Sequence, residues 1–200
     1  MIVDLMYLII NALIFIFPAF VANAAPTILG RGKRLNAPID CGKYWKDNKR
    51  ILGDGKTIRG FISGVVCGMM SCVGIFVITN FSGYSLEYIN YFQSSILYWA
   101  IHKLGNNYII LCALIGFLLG SGALIGDIIG SFIKRRSGLQ RGESFPFMDQ
   151  LGFLVVALVF VFPVIPWPLV WLLVLAPSTL GLHIGLNILS YVVGIQEVPL

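Results

Sequence analysis

The sequence predicts an all-α integral membrane protein with five transmembrane helices. The chain has 200 residues, of which 58% are hydrophobic, and its mean hydropathy is +0.87. Several apolar runs reach the roughly 20 residues that a helix needs to cross a bilayer. These values exclude an ordinary soluble domain and indicate one multi-pass domain in the cell membrane.

Almost all of the positive charge lies in two loops. Nine of the 14 Lys and Arg residues lie between Arg31 and Arg59, four lie between Lys134 and Arg141, and only Lys103 lies elsewhere. The positive-inside rule places both basic loops in the cytoplasm. With five spans, this puts the N-terminus outside, the C-terminus in the cytoplasm and the connection 80–107 outside. Another interpretation is that these cations only set topology and contact lipid headgroups.

The apolar pattern gives approximate bounds for each element. Polar Asn11 and Pro18 in the first span should face the protein interior, because a free polar group in lipid needs a partner. The last apolar stretch is long enough for two spans, and Trp167 and Trp171 are expected at the membrane interface. The predicted spans are 2–22, 58–79, 108–130, 150–165 and 168–193, with cytoplasmic loops at 23–57 and 131–149.

Small residues recur every four positions in the second and third spans. Such stripes let another helix approach closely, so we interpret them as packing surfaces. The stripes comprise Gly60, Gly64 and Gly68, then Gly116 and Gly120, and then Gly122, Gly126 and Gly130.

The segment that suggests chemistry runs from Gly126 to Gln150. Asp127 and Asp149 lie near its two ends, and cations lie between them. Two carboxylates at a membrane surface with such cations indicate a divalent metal and a polyphosphate. If the third helix continues, Asp127, Ser131 and Lys134 share one face. Alternatively, Asp127 forms an ion pair with Lys134 or with a cation of the first loop.

A second phosphate-binding segment closes the first basic loop, at residues 53–60. It does not match a P-loop, because Arg50 occupies the position where that motif needs a glycine. Two glycines nevertheless let backbone amides approach an anion, and Thr57 can cap the next helix. Lys56 and Arg59 then lie near a positive helix N-terminus, which favours phosphate. The alternative is a helix cap with snorkelling cations.

These features predict phosphoryl or nucleotidyl transfer between a soluble nucleotide and a molecule in the bilayer. A lipid phosphate monoester is already an anion and needs no base, only metal, cations and alignment. A lipid alcohol would need a base, and neither cytoplasmic loop contains a histidine. Asp40 or Asp54 could still serve as one. The four cysteines have no metal-ligand spacing.

The motifs resemble those of CTP-dependent phosphatidate cytidylyltransferases. The run from Ser131 to Arg135, with Asp127 before it and Asp149 after it, is similar to their signature, and Gly55–Gly60 is similar to a second short motif. The short chain and the sequence motifs around Asn23, Pro38–Asp40 and Gly53–Thr57 resemble those of the CDP-archaeol synthase family. The segment before Asp149 lacks the Pro-Gly-His-Gly-Gly of the bacterial type, which weakens an assignment to the diacylglycerol branch.

The resemblance implies Mg²⁺-dependent transfer of CMP from CTP to digeranylgeranylglyceryl phosphate, an isoprenoid ether lipid phosphate. CDP-archaeol and pyrophosphate would be the products. Membrane lipids are expected partners and nucleic acid is not, while the oligomeric state stays open, with a homodimer as one option. The implied metal ligands are Asp127 and Asp149, the implied phosphate ligands are Lys56, Arg59, Lys134 and Arg135, and Ser131, Thr57, Asn23 and Asp54 would assist or shape the nucleotide site.

Three other functions compete with this one. The same chemistry could act on a diacyl lipid phosphate. A CTP-dependent lipid kinase would release CDP instead of pyrophosphate. A small anion transporter would keep Asp127 in its permeation path and should show internal repeat symmetry, of which the two halves give no convincing sign.

Overall fold

The computed structural model describes residues 2–30, 36–82, 108–139, 143, 145 and 148–192. Arg141, the C-terminal residues 193–200 and most of the predicted external connection lie outside the described residues. The described part is helical, which confirms the predicted all-α class. Its helices are α1 (Ile2–Leu29), α2 (Ile58–Ser82), α3 (Tyr108–Arg136), α4 (Met148–Val161) and α5 (Val170–Val192).

Three helices in the described part are long and apolar enough to cross a membrane, namely the stretches Leu5–Leu29, Ile58–Thr79 and Tyr108–Arg136. With 14 residues, α4 is about 21 Å long at 1.5 Å per residue. This is shorter than the roughly 30 Å hydrocarbon core of a bilayer. With 23 residues, α5 is longer than α4.

The first helix ends later than predicted, at Leu29 rather than near residue 22. Asn23 therefore lies on α1 and not in the first loop. Pro26 lies inside the helix and has no N–H for the Ala22 carbonyl. That carbonyl faces Gly64 of α2, where a Cβ would lie only 2.6 Å from the oxygen. Contact with α2 thus covers the backbone group that Pro26 leaves free.

The third helix also continues beyond its predicted end, to Arg136, so residues 131–136 are helical and not part of a loop. Lys134, Arg135 and Arg136 form its last turn, where cations interact favourably with the helix dipole. The helix then ends in a Schellman motif. Gly138 has a φ of +83°, and the Leu139 N–H bonds to the Lys134 carbonyl at 3.1 Å.

The glycine stripes of α3 pack against two different helices, as predicted. A Cβ on Gly116 would lie 2.6 Å from the Gly68 carbonyl oxygen of α2. A Cβ on Gly126 would lie 2.6 Å from the Gly152 carbonyl oxygen of α4. These backbone contacts place α3 against both α2 and α4.

The core lies between α1, α3, α4 and α5. Asn11 and Pro18 are buried in α1, which confirms that they face the interior. The structure buries both tryptophans that were expected at the membrane interface. Trp171 is fully buried with its ring 5.0 Å from that of Phe15, and Trp167 donates from Nε1 to the Leu158 carbonyl at 2.9 Å. The turn before α5 folds inward, so both indole rings are buried in the core.

Candidate active site

The end of α3 and the start of α2 meet through an ion pair between Asp127 and Lys56. Thr57 caps α2, because its Oγ1 accepts a hydrogen bond from the Gly60 N–H at 3.1 Å. The cap fixes where α2 begins and so where Lys56 lies. Asp127 is a membrane-helix carboxylate whose partner comes from the first basic loop, as one of the two sequence interpretations predicted.

A second ion pair joins the end of α3 to the start of α4. Lys134 Nζ lies 2.8 Å from Asp149 Oδ2 and 3.1 Å from Oδ1. Asp149 lies in the first turn of α4, and its Oδ2 also accepts the Phe145 N–H at 3.0 Å. Lysine near a helix C-terminus and aspartate near a helix N-terminus both suit the helix dipoles. Lys134 therefore pairs with Asp149 and not with Asp127.

A cavity of 640 Å³, here called the interhelical cavity, opens between α1, α2 and α3. Asn23, Thr27 and Thr57 give it polar walls, and Phe61 and Leu124 give it apolar ones. Its walls also include Asp54, Gly55, Lys56 and Asp127.

A second cavity of 480 Å³, here called the cationic cavity, also borders the Lys56–Asp127 pair. Both cavities share Asp54, Gly55, Lys56 and Asp127, so this pair forms part of their common wall. Four cations face three carboxylates in the cationic cavity, which favours a polyanion that brings its own metal. Its charged residues are Arg50, Lys56, Lys134, Arg135, Asp54, Asp127 and Asp149.

The loop before α2 is built around the carboxylate of Asp40, whose side chain is fully buried. Oδ2 accepts the Leu52 and Gly53 N–H groups at 3.0 and 2.9 Å, and Oδ1 accepts the Gly42 N–H at 3.0 Å. Arg50 Nη2 lies 3.0 Å from Oδ1. Burial would raise the pKa of Asp40, but Arg50 and the three amides outweigh it and hold this pKa below its usual range.

The same loop is anchored to the end of α3 by Arg136. Its Nη2 donates to the Arg50 carbonyl at 2.6 Å, and its Nε lies 2.8 Å from Asp47 Oδ2. Trp45 packs edge-on against Phe132 with ring centroids 5.5 Å apart. Contacts with α3 thus hold the loop in place.

Nine of the ten residues named from the sequence line one or both cavities. Asn23 and Thr57 line the interhelical cavity, and Ser131, Lys134, Arg135 and Asp149 line the cationic cavity; Asp54, Lys56 and Asp127 line both. Arg59 lines neither, because its Nε donates to the Leu29 carbonyl at the end of α1, at 2.8 Å. Ser131 donates its hydroxyl back to the Asp127 carbonyl at 2.9 Å.

Sequence reasoning missed Arg50 and the organising role of Asp40. Arg50 was considered only as the residue that breaks a P-loop pattern. Its spacing of four from Asp54 is a weak signal, and no spacing rule links it to Asp40. The two meet because the chain between them folds back, with Tyr44 opposite Arg50.

The carboxylates suit Mg²⁺ that carries phosphate, and do not form an all-protein metal cage. Within the described residues, no group of three or more His, Cys, Asp or Glu could hold a metal ion. Asp127 and Asp149 line one cavity, and each side chain is 38% exposed, so both carboxylates can be reached. One or two carboxylates with substrate phosphates and water are a usual ligand set for Mg²⁺.

Comparisons with known proteins give one consistent result. The family model for CDP-archaeol synthase (CarS-like) matches residues 5–200. CDP-archaeol synthase of Methanococcus aeolicus is 40% identical over 198 residues, which cover 98% of each chain. That of Thermococcus kodakarensis is 40% identical over 92% of each chain. A solved intramembrane enzyme for archaeal membrane lipids biosynthesis is 34% identical, with a TM-score of 0.68 over 90% of this chain and 94% of the other.

Fold and site together define a multi-pass membrane protein in which helix ends and a basic loop form a site of paired acids and cations. The long apolar helices and the intramembrane structural relative support this class directly. The chain belongs to the CDP-archaeol synthase family.

Proposed function

We propose that the protein transfers CMP from CTP to digeranylgeranylglyceryl phosphate, forming CDP-archaeol and pyrophosphate. Its family and its near full-length relatives support this reaction. The observation that carries the proposal is the Lys56–Asp127 pair on the wall shared by the two cavities. At that point a carboxylate and a cation would contact the metal-bound phosphate of CTP where it meets the lipid phosphate.

Asp127 and Asp149 would hold Mg²⁺ in the cationic cavity. When bound, the ion would neutralise phosphate charge and align the α-phosphate for attack. The two aspartates are fixed for this task by rigid supports. Asp127 follows Gly126, which packs on the α4 backbone, and Asp149 is bonded to the Phe145 N–H.

Lys56, Lys134 and Arg135 would bind the phosphates. Arg135 lines the cationic cavity, and its Nε is buried without a hydrogen-bond partner among the described residues. A phosphate oxygen would satisfy that donor. Ser131 lies on the same face of α3 as Arg135 and would add a hydroxyl. Arg59 would support the site by tying α2 to the end of α1.

The interhelical cavity would take the nucleoside. Asn23, Thr57 and Asp54 supply polar groups, and Phe61 supplies an aromatic ring, so the cavity can hold a ribose and a base. The α-phosphate would then lie beside Lys56, on the shared wall.

The reaction needs alignment more than it needs a base. An oxygen of the lipid phosphate, already anionic, attacks the α-phosphorus of CTP and forms the new P–O bond. The bond from the α-phosphorus to the bridging oxygen breaks, and pyrophosphate leaves with the electron pair. Lys56 and Lys134 stabilise the charge that develops on the phosphate oxygens.

The proposed topology has five spans, an external N-terminus and a cytoplasmic site. Both described basic segments meet at this site, through Lys56 and Lys134. One membrane face therefore carries both, which is consistent with the positive-inside rule and gives CTP access from the cytoplasm.

The test is pyrophosphate release by the purified protein in detergent with CTP, Mg²⁺ and digeranylgeranylglyceryl phosphate. We expect release that depends on the lipid. A diacyl lipid phosphate in a parallel assay separates the ether from the ester specificity. Release of CDP instead would support the kinase, and a folded protein without nucleotide turnover would support the transporter.

A further inference from the structure

Arg50 is held at the edge of the cationic cavity by a buried carboxylate. Three backbone N–H groups fix the Asp40 carboxylate, and Arg50 Nε and Nη2 then bind its two oxygens at 3.3 and 3.0 Å. Because this two-point contact defines the plane of the guanidinium, Asp40 sets the direction of Arg50.

Part of the guanidinium stays available. Nη2 also binds Asp54 Oδ1 at 2.7 Å, but Nη1 donates to no described residue. Asp54 is 67% exposed, so its contact with Arg50 can exchange with an incoming anion, whereas the fully buried Asp40 stays bound. Arg50 can thus bind phosphate without losing its orientation.

We propose that Arg50 binds the two outer phosphates of the nucleotide and that Asp40 is its positioning residue. This inference rests on the proposed function and extends it, because Arg50 would hold the group that leaves as pyrophosphate. The backbone supports the assignment: the Arg136 guanidinium fixes the Arg50 carbonyl to the end of α3, the helix that carries Lys134 and Arg135. Arg50 and these cations therefore face one cavity from two rigid elements.

The experiment compares R50Q with a matched variant, K46Q. Lys46 is an exposed cation of the same loop that lines neither cavity. The measurements are the KM for CTP and the inhibition constants of pyrophosphate and CMP. Pyrophosphate corresponds to the two outer phosphates of CTP, whereas CMP carries only the inner one. For R50Q we expect the KM for CTP and the inhibition constant of pyrophosphate to rise about 10- to 100-fold, since a charge-assisted bond is lost. The CMP constant should stay within about 3-fold, and K46Q should leave all three unchanged.

Asp40 is tested by D40N and by the double variant D40N/R50Q. If Asp40 acts through Arg50, D40N raises the pyrophosphate constant relative to that of CMP, and the double variant is no worse than R50Q alone. A merely structural role would lower stability without changing that ratio. Should D40N not fold, D40E replaces it, with the charge kept and the carboxylate displaced.

Equal rises for pyrophosphate and CMP in R50Q, or no rise at all, would overturn the assignment of Arg50. Additive effects in the double variant would overturn the role of Asp40. These outcomes are distinct from a failure of the proposed function, in which the unaltered protein itself would release no pyrophosphate with CTP and lipid.

Discussion

Lys56 and Asp127 are 71 positions apart in the sequence and form an ion pair on the wall between two polar cavities. Lys56 directly precedes Thr57, which caps α2. Asp127 lies on α3 beside Gly126, which contacts Gly152. A basic loop and a membrane helix thereby build one site.

Replacing Asp127 by Asn should reduce lipid-dependent pyrophosphate release at least about 100-fold, because the variant loses an ionised oxygen ligand next to the reacting phosphate. The matched control is D47N, since Asp47 pairs with Arg136 and lines neither cavity. We expect D47N to stay within about 3-fold of the unaltered protein. Equal losses in both variants would argue against a special role for Asp127.

Asp149 should govern the magnesium requirement. In D149N we expect the Mg²⁺ concentration for half-maximal activity to rise about 10-fold or more, because one of two carboxylate ligands becomes neutral. Removal of the metal with a chelator should abolish activity in the unaltered protein, and added Mg²⁺ should restore it. An unchanged Mg²⁺ dependence in D149N would show that Asp149 does not hold the ion.

The contact of α3 with α4 should tolerate no side chain at Gly126. A Cβ there would lie 2.6 Å from the Gly152 carbonyl oxygen, so G126A should destabilise the fold by about 1–3 kcal/mol through overpacking and should lower activity. The control is G74A in α2, where a Cβ meets nothing within 4 Å. Unfolding midpoints in detergent measure both. A midpoint for G126A equal to that of G74A would contradict the packing.

The buried Asp40 carboxylate should stabilise the loop at neutral pH. Its pKa in the folded protein is lowered, so its contribution is present above the unfolded value of about 3.9 and is lost as pH falls through the folded pKa. The difference in unfolding midpoint between the unaltered protein and D40N should therefore be constant from about pH 5 to 8 and narrow below about pH 4. A difference that grows on acidification would contradict this sign.

Local patterns in the sequence predicted the helices and most of the residues at the site. Hydropathy located five helices, and the glycine spacing predicted the contacts of Gly68 and Gly126. Charges beside apolar runs indicated Asp127, Lys134 and Lys56, because such residues are rare there without a function.

The features that could not be predicted from the sequence depend on contacts between distant segments. The first span was predicted to end at residue 22, yet α1 continues through Pro26 because α2 covers the carbonyl that the proline leaves free. Arg59 was expected at the phosphates by its position in a motif, but it binds the end of α1. Arg50 was missed because its orientation comes from Asp40. The burial of Trp171 was not predicted, because it results from an inward turn before α5.

The most direct test follows the phosphorus atoms of CTP. Purified protein is incubated with Mg²⁺, digeranylgeranylglyceryl phosphate and CTP radiolabelled at either the α- or the γ-phosphorus. We predict that α-label enters the lipid, that γ-label stays in water-soluble pyrophosphate, and that D127N abolishes the lipid labelling. Label from the γ-phosphorus in the lipid, or α-label transfer that survives in D127N, would contradict cytidylyl transfer at this site.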